Sequence, residues 1–211
     1  MKNAVGFYWT LPVPWAGFEN LPENIEEAAR ASHTIRYQRE RIRRYAKEEN
    51  FRLVAEEVFM EIAPDRGSDY VRDPLEHVAK ICRARDAELL FVDFSLAQGW
   101  RSHGPFSEWA RRLGIVPTEV TPDEILLDGK LFDPAAHFSQ WRASQSEWTS
   151  QKGERVARAL KEARRLRAEK RTFKEIAENL NARQVRSASG KPWKEDSIRK
   201  LLAPASSSKA T

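Results

Sequence analysis

The chain contains a single cysteine, Cys82, so it cannot form an internal disulfide. Its histidines, His33, His77, His103 and His137, are scattered and none has a partner at zinc-site spacing, so neither a metal nor a cofactor is expected. No stretch approaches the roughly 18 consecutive apolar residues that a membrane-spanning helix needs. The opening Met1-Lys2-Asn3-Ala4-Val5 reaches Pro12 and Pro14 without a signal-type apolar core, so neither secretion nor a membrane partner is expected, and a cytoplasmic location is.

What is present is enough for one hydrophobic core and little more. The 211 residues, 24.3 kDa, fit a domain of roughly 100 to 150 residues plus a small second module. Charged residues make up 32% and apolar ones 41%, with seven Trp and ten Phe, a composition too aromatic for global disorder. Charge is divided unevenly along the chain. From Gln151 onward, 17 Lys/Arg face 7 Asp/Glu, a balance of +10; the residues before it sum to −5. Such asymmetry is what a polyanion-binding module joined to an acidic one produces, since each phosphate neutralised releases counterions. A solvated helix face is the alternative reading of the same charges.

Short β-branched and aromatic runs recur at Ala4–Trp9, Leu53–Met60, Glu88–Phe94 and Ile115–Val120, separated by helix-like segments. Thr34–Asn50 carries Ile35, Ile42, Tyr45 and Ala46 on one face, Pro74 opens a helix to about Arg85, and Pro105 opens another ending near Gly114. The expected fold class is α/β, a parallel sheet flanked by helices. Asp128-Gly129, between Ile125-Leu126-Leu127 and Lys130-Leu131-Phe132, signals a hairpin that adds a ribbon to that sheet.

Asp133-Pro134 reads as the N-cap and first residue of a helix whose apolar positions continue to Leu166, interrupted by Gly153. A single helix to about Lys170 is expected, on the order of 55 Å long, more than its own domain can cover. Two helices broken at Gly153 are the alternative. Thr172-Phe173-Lys174-Glu175 is a capping box that opens a further helix with Phe173, Ile176, Ala177 and Leu180 on its buried face. Trp193, Ile198, Leu201 and Leu202 supply a second apolar set after the Ser187-Ala188-Ser189-Gly190 turn, and the pair reads as helix-turn-helix-like. The expected organisation is an α/β domain over 1–132, a long dimerisation or linker helix over 133–170, a helix-turn-helix-like domain over 171–203 and a disordered tail over 204–211.

Ile176-Ala177-Glu178-Asn179-Leu180-Asn181-Ala182-Arg183, then Ser189-Gly190-Lys191-Pro192-Trp193 and Ser197-Ile198-Arg199-Lys200-Leu201-Leu202, resembles the DNA-binding region of the serine recombinases (resolvases and invertases). Gln184 stands where that family has glycine, which predicts a less sharp helix exit. The N-terminal part is similar to the family's resolvase-like catalytic domain through Ile35-Arg36-Tyr37-Gln38, Arg72-Asp73-Pro74-Leu75 and Gly129-Lys130-Leu131. The resemblance implies DNA recombination chemistry, double-stranded DNA as partner, nucleoid association when bound, and a homodimer or higher homo-oligomer through the long helix.

The family's serine nucleophile and its arginines depart from this pattern. The family motif Y-x-R-x-S aligns with Phe7-Tyr8-Trp9-Thr10-Leu11, placing Leu11 at the nucleophile and Trp9 at the arginine. The motif D-R-L-x-R aligns with Leu96-Ala97-Gln98-Gly99-Trp100, with Arg101 one position late. Only Arg72 stands at a catalytic arginine position, and each lost donor around a phosphoryl transition state can cost about 10²-fold. The acidic segment Pro12–Ala31, with Glu19, Glu23, Glu26 and Glu27, repels a DNA backbone brought close.

The sequence therefore points first to a DNA-binding protein without strand-cleaving activity, acting in regulation or DNA architecture. The alternatives are a recombinase using Thr10, Ser95 or Ser102 as an unconventional nucleophile, and a protein-interaction module with a solvated basic tail. Candidate catalytic residues are Arg72 and Thr10. Candidate DNA contacts are Ser189, Lys191, Ser197, Arg199 and Lys200 around the second helix, with Arg183, Arg186 and Lys194 as backbone contacts. Trp193 is expected to plug the small domain's core, and Cys82 to lie in the core of the large one.

Overall fold

The computed structural model describes residues 1–62, 67–97, 103–115 and 117–203. The chain divides into two compact units, Met1–Ala143 and Ser144–Thr211.

The first unit is built on a four-stranded, fully parallel sheet, β1 (Lys2–Thr10), β2 (Phe51–Met60), β3 (Ala87–Val92) and β4 (Pro117–Val120), in the order β2-β1-β3-β4. Helices α1 (Ile25–Ala31), α2 (His33–Glu48), α3 (Arg72–Arg85) and α4 (Gly104–Arg112) flank it, an arrangement consistent with a resolvase-like fold. β1 is buried without interruption from Ala4 to Thr10, as a central strand covered on both faces must be. Phe7 and Phe91 pack against Phe106 of α4, with ring centroids 5.4 and 4.6 Å apart. On the other face of β1, the Tyr8 hydroxyl donates to Glu56 Oε1 at 2.5 Å, and Arg43 of α2 holds the same carboxylate. The Tyr8 ring lies over Gly6, where a Cβ would sit 2.6 Å from the hydroxyl oxygen, so a larger residue there forces the buried ring to shift.

β1 outruns its neighbour: β3 pairs with it only as far as Phe7. Gln38 of α2, fully buried, takes over the ladder, accepting from the Trp9 amide at 3.1 Å and donating to the Trp9 carbonyl at 2.7 Å. A buried amide placed this way meets the strand's exposed hydrogen-bonding groups at its C-terminal end.

α3 starts at Arg72 rather than Pro74, because a proline in the first helical turn forfeits only an amide that has no intrahelical acceptor. Cys82 lies in the core beside Val78, and burial pushes its thiol pKa up. β5 (Ile125–Leu127) and β6 (Lys130–Phe132) form the hairpin expected at Asp128-Gly129, both turn residues having positive φ (51° and 75°). The ribbon does not extend the parallel sheet; it is a separate two-stranded sheet, because it pairs only with itself. Asp133 Oδ1 caps the next helix, α5 (Pro134–Ser150), accepting from Ala135 and Ala136 at 2.8 and 3.1 Å.

Where one helix to about Lys170 is expected, α5 is followed by α6 (Lys152–Ala168) with Gln151, at φ −79° and ψ 3°, between them. The interruption lies two residues before Gly153. The second unit adds α7 (Phe173–Ala182) and α8 (Glu195–Leu202). The tail expected over 204–211 lies outside the described residues. Among the described residues, no helix is long and apolar enough to cross a membrane.

Candidate nucleic-acid interface

α6, α7 and α8 enclose a core of their own. Ala159, Ala163 and Leu166 of α6 meet Ile176, Ala177 and Leu180 of α7, Ile198 of α8 and Trp193, with Phe173, Val185, Leu201 and Leu202 at the margin. Burying a leucine- or isoleucine-sized side chain contributes about 1.5–3 kcal/mol, and these residues recur at helical spacing, so one apolar stripe per helix suffices. α7 begins with the predicted capping box. Thr172 Oγ1 accepts from the Glu175 amide at 3.2 Å, and Glu175 Oε2 accepts from the Thr172 amide at 2.7 Å. The hydrogen bonds from Thr172 lower the Glu175 pKa.

The exit from α7 is as sharp as a glycine would make it, which corrects the expectation for Gln184. Gln184 adopts φ 56°, its amide donates to Asn181 O at 3.0 Å, and the Val185 amide donates to Leu180 O at 2.9 Å. These are the two bonds of a Schellman turn, formed here by a residue that pays the left-handed penalty.

The segment from Arg183 to Lys194 is anchored by Trp193. Asn181 clasps its backbone, donating from Nδ2 to Trp193 O (2.9 Å) and accepting at Oδ1 from Trp193 N (2.7 Å). The indole Nε1 donates to Val185 O at 2.8 Å, and the residue is 7% exposed. It is a core plug with its polar atom satisfied. Trp193 thus fixes where α8 begins relative to the end of α7.

This framework carries the candidate contact residues on its outside. Lys191, Lys194 and Lys200 are exposed and have no ion pair among the described residues. Ser189 is exposed, while Ser197 and Arg186 are half-buried, with Arg186 Nη2 donating to Gln184 Oε1 at 2.9 Å. Arg183 is exposed and pairs with Glu162 of α6. Arg199 pairs with Glu195 and Asp196 at 3.0 and 3.4 Å, and its guanidinium lies 5.6 Å from the Phe173 ring centroid. These pairs are solvent-exposed, each worth at most about 1 kcal/mol, so an incoming phosphate can displace them.

In the first unit the candidate catalytic residues are not brought together. Thr10 is 5% exposed, and its Oγ1 accepts from Ser32 Oγ at 3.4 Å. Leu11 and Trp9 are buried beside it. Arg72, at the start of α3, is half-exposed, its Nε 3.3 Å from Glu76 and 3.4 Å from Asp73 and its guanidinium over Trp109. Ser95 Oγ donates to Asp93 Oδ2 at 2.6 Å. Ala97 is buried, and Gln98, Gly99, Trp100, Arg101 and Ser102 lie outside the described residues. Glu26 is engaged by Arg39 and Arg43, so part of the acidic segment's charge is already neutralised.

The sequence did not disclose a buried polar cluster beside Trp9. Glu61, whose side chain is fully buried, accepts from Ser68 N and Oγ at 3.1 and 2.6 Å and pairs with His103 Nε2 at 2.5 Å. The Phe106 amide donates to His103 Nδ1 at 3.0 Å, which assigns the ring hydrogen to Nε2. The imidazole packs edge-on to Trp9 at 5.0 Å and over Gly67. The signal was a glutamate closing an apolar strand run, Val58-Phe59-Met60-Glu61.

No curated protein and no solved structure matches the chain. Residues 154–204, which span α6, α7 and α8, match the family model described as Recombinase, and this supports a recombinase family for the chain.

Proposed function

We propose that the chain is a DNA-binding protein of the serine recombinase type that grips double-stranded DNA through its C-terminal helices and does not cleave it. One observation carries this reading: the matched segment 154–204 coincides with a self-contained three-helix core whose exposed surface bears the chain's excess basic charge. Lys191, Lys194, Arg199 and Lys200 supply phosphate and groove contacts, with α8 as the reading helix and α7 as its support. Arg183 and Arg186 extend the contact along the backbone. The expected organisation, a resolvase-like part over 1–132, a dimerising connection over 133–170 and a helical module over 171–203, is kept with one change: α6 belongs to the helical module, whose core it shares, which leaves α5 as the proposed homodimer contact.

The absence of cleavage rests on what surrounds the end of β1. Among the described residues, the hydroxyls lining the space there are those of Thr10, Ser32 and Thr34; Thr10 is buried and accepts from Ser32 Oγ, and Arg72 does not line that space. Among the described residues no Lys or Arg lines that space, and a phosphoryl transfer without clustered cations lacks most of its electrostatic stabilisation. The role that remains is regulatory or architectural.

Two assays test the proposal. Gel-shift titration with a duplex of its own flanking DNA is expected to show binding at 50 mM salt that weakens steeply as salt rises; no binding at that salt excludes the DNA reading. Incubation with the same DNA is expected to give no protein-linked 5′-phosphoryl adduct. An adduct that disappears in Thr10→Ala establishes the active recombinase instead.

A further inference from the structure

At the end of β1, where the resemblance places a nucleophile, the first unit contains a cavity. It has a volume of about 250 Å³, is partly open to solvent, and has aromatic walls formed by Trp9, Phe18, Phe94, Phe138 and Trp141. Leu11 lines it; neither Arg72 nor Ala97 does. Its position, at the C-terminal end of a parallel strand, is where open α/β sheets hold their ligands.

The chemistry of the walls limits the occupant. Among the described residues, no Lys, Arg, Asp or Glu lines the cavity, so a phosphate or carboxylate entering it loses hydration with no counter-charge in return. The titratable groups are two histidines. His137 is kept neutral by burial and by His33 nearby, both of which lower its pKa. Two polar pairs converge on the space: Thr34 Oγ1 with His137 Nε2 at 3.2 Å, and Ser32 Oγ donating to Thr10 Oγ1 at 3.4 Å. A hydroxyl beside a neutral imidazole offers one donor and one acceptor in a small area. Size completes the description, since a dry apolar cavity of about 150 Å³ takes benzene; a space of about 250 Å³ takes a second fused ring.

We propose that this cavity binds a small, neutral aromatic molecule of one or two fused rings whose single N–H or O–H is held at the Thr34–His137 pair. The proposal is independent of DNA binding, because every residue it uses belongs to the first unit.

Calorimetric titration of the full chain with indole, benzene and benzoate tests it. Saturable indole binding is expected, accompanied by a rise in Tm, with benzoate at least tenfold weaker. Ala31→Phe, at an exposed residue on the cavity's rim, is expected to fill the space and abolish indole binding. Thr34→Val keeps the side-chain shape and removes the hydroxyl, so indole binding is expected to weaken severalfold while benzene binding stays unchanged. The proposal is overturned by the absence of saturable indole binding at millimolar concentration, by benzoate binding as tightly as indole, or by equal indole affinity in wild type and Thr34→Val. Should Ala31→Phe fold and still bind indole with wild-type affinity, the ligand lies elsewhere and the proposal also fails.

Discussion

Two regions of this chain bear on the proposed DNA-binding function, and their chemistry is opposite. The C-terminal end of β1 is aromatic and uncharged, its hydroxyls paired with each other and with imidazole. The outer surface of α7, α8 and the segment between them is polar and cationic over a small apolar core. A site that transfers phosphoryl groups needs charge held in place before the reaction; a surface that only holds DNA needs exposed cations on a stable scaffold. The difference teaches that, on the proposed reading, gripping DNA is separable from cutting it, because the two regions belong to different units with different cores.

If the helical unit stands on its own core, damage to that core should be large and local. Trp193→Ala removes the plug and leaves the Val185 carbonyl without its indole donor, a loss of about 3–5 kcal/mol, as aromatic-to-alanine core changes give. Hydrogen exchange is expected to show lost protection throughout 173–202 with β1–β3 amides unaffected; spread of the loss into the sheet breaks the separation of the two units.

The converse change belongs to the first unit. His103→Leu removes one donor from the buried Glu61 carboxylate and is expected to cost about 2–3 kcal/mol in urea unfolding, since a charged group loses a hydrogen bond it cannot recover from water. DNA affinity is expected to stay at the wild-type value. A weakened grip would tie the two regions together.

The smallest effect sharpens the account of α7. Gln184→Gly relieves the left-handed strain and is expected to stabilise the helical unit by about 1 kcal/mol, read as slowed amide exchange at Leu180 and Val185. Destabilisation instead shows that the Gln184 side chain, which accepts from Arg186, holds the turn.

Much of the fold was legible in the sequence because it follows from local patterns. The strand runs, the capping box at Thr172, the Asp128-Gly129 hairpin and the Asp133-Pro134 helix start each need only a few adjacent residues to declare themselves. The details that escaped depend on residues far apart in the chain. The hairpin's separation from the sheet is decided by which strand edges it meets, and the Glu61–Ser68–His103 cluster joins residues as far apart as 42 positions. Gln184 misled for another reason: a tertiary clasp, Asn181 on Trp193, sets the turn strongly enough to impose a conformation that glutamine itself disfavours. Arg72 matches a catalytic position in the family pattern; its contact with the i,i+4 neighbour Glu76 was equally legible from spacing alone.

The central claim is a cationic grip located on α8 and its approaches, and the salt dependence of DNA binding measures it most directly. The slope of log Kobs against log salt, taken by fluorescence anisotropy on one duplex, is expected to be shallower by about two for Arg199→Ala combined with Lys200→Ala, because each phosphate contact contributes about 0.9 to the slope. An identical slope and affinity in wild type and the double variant would contradict the account.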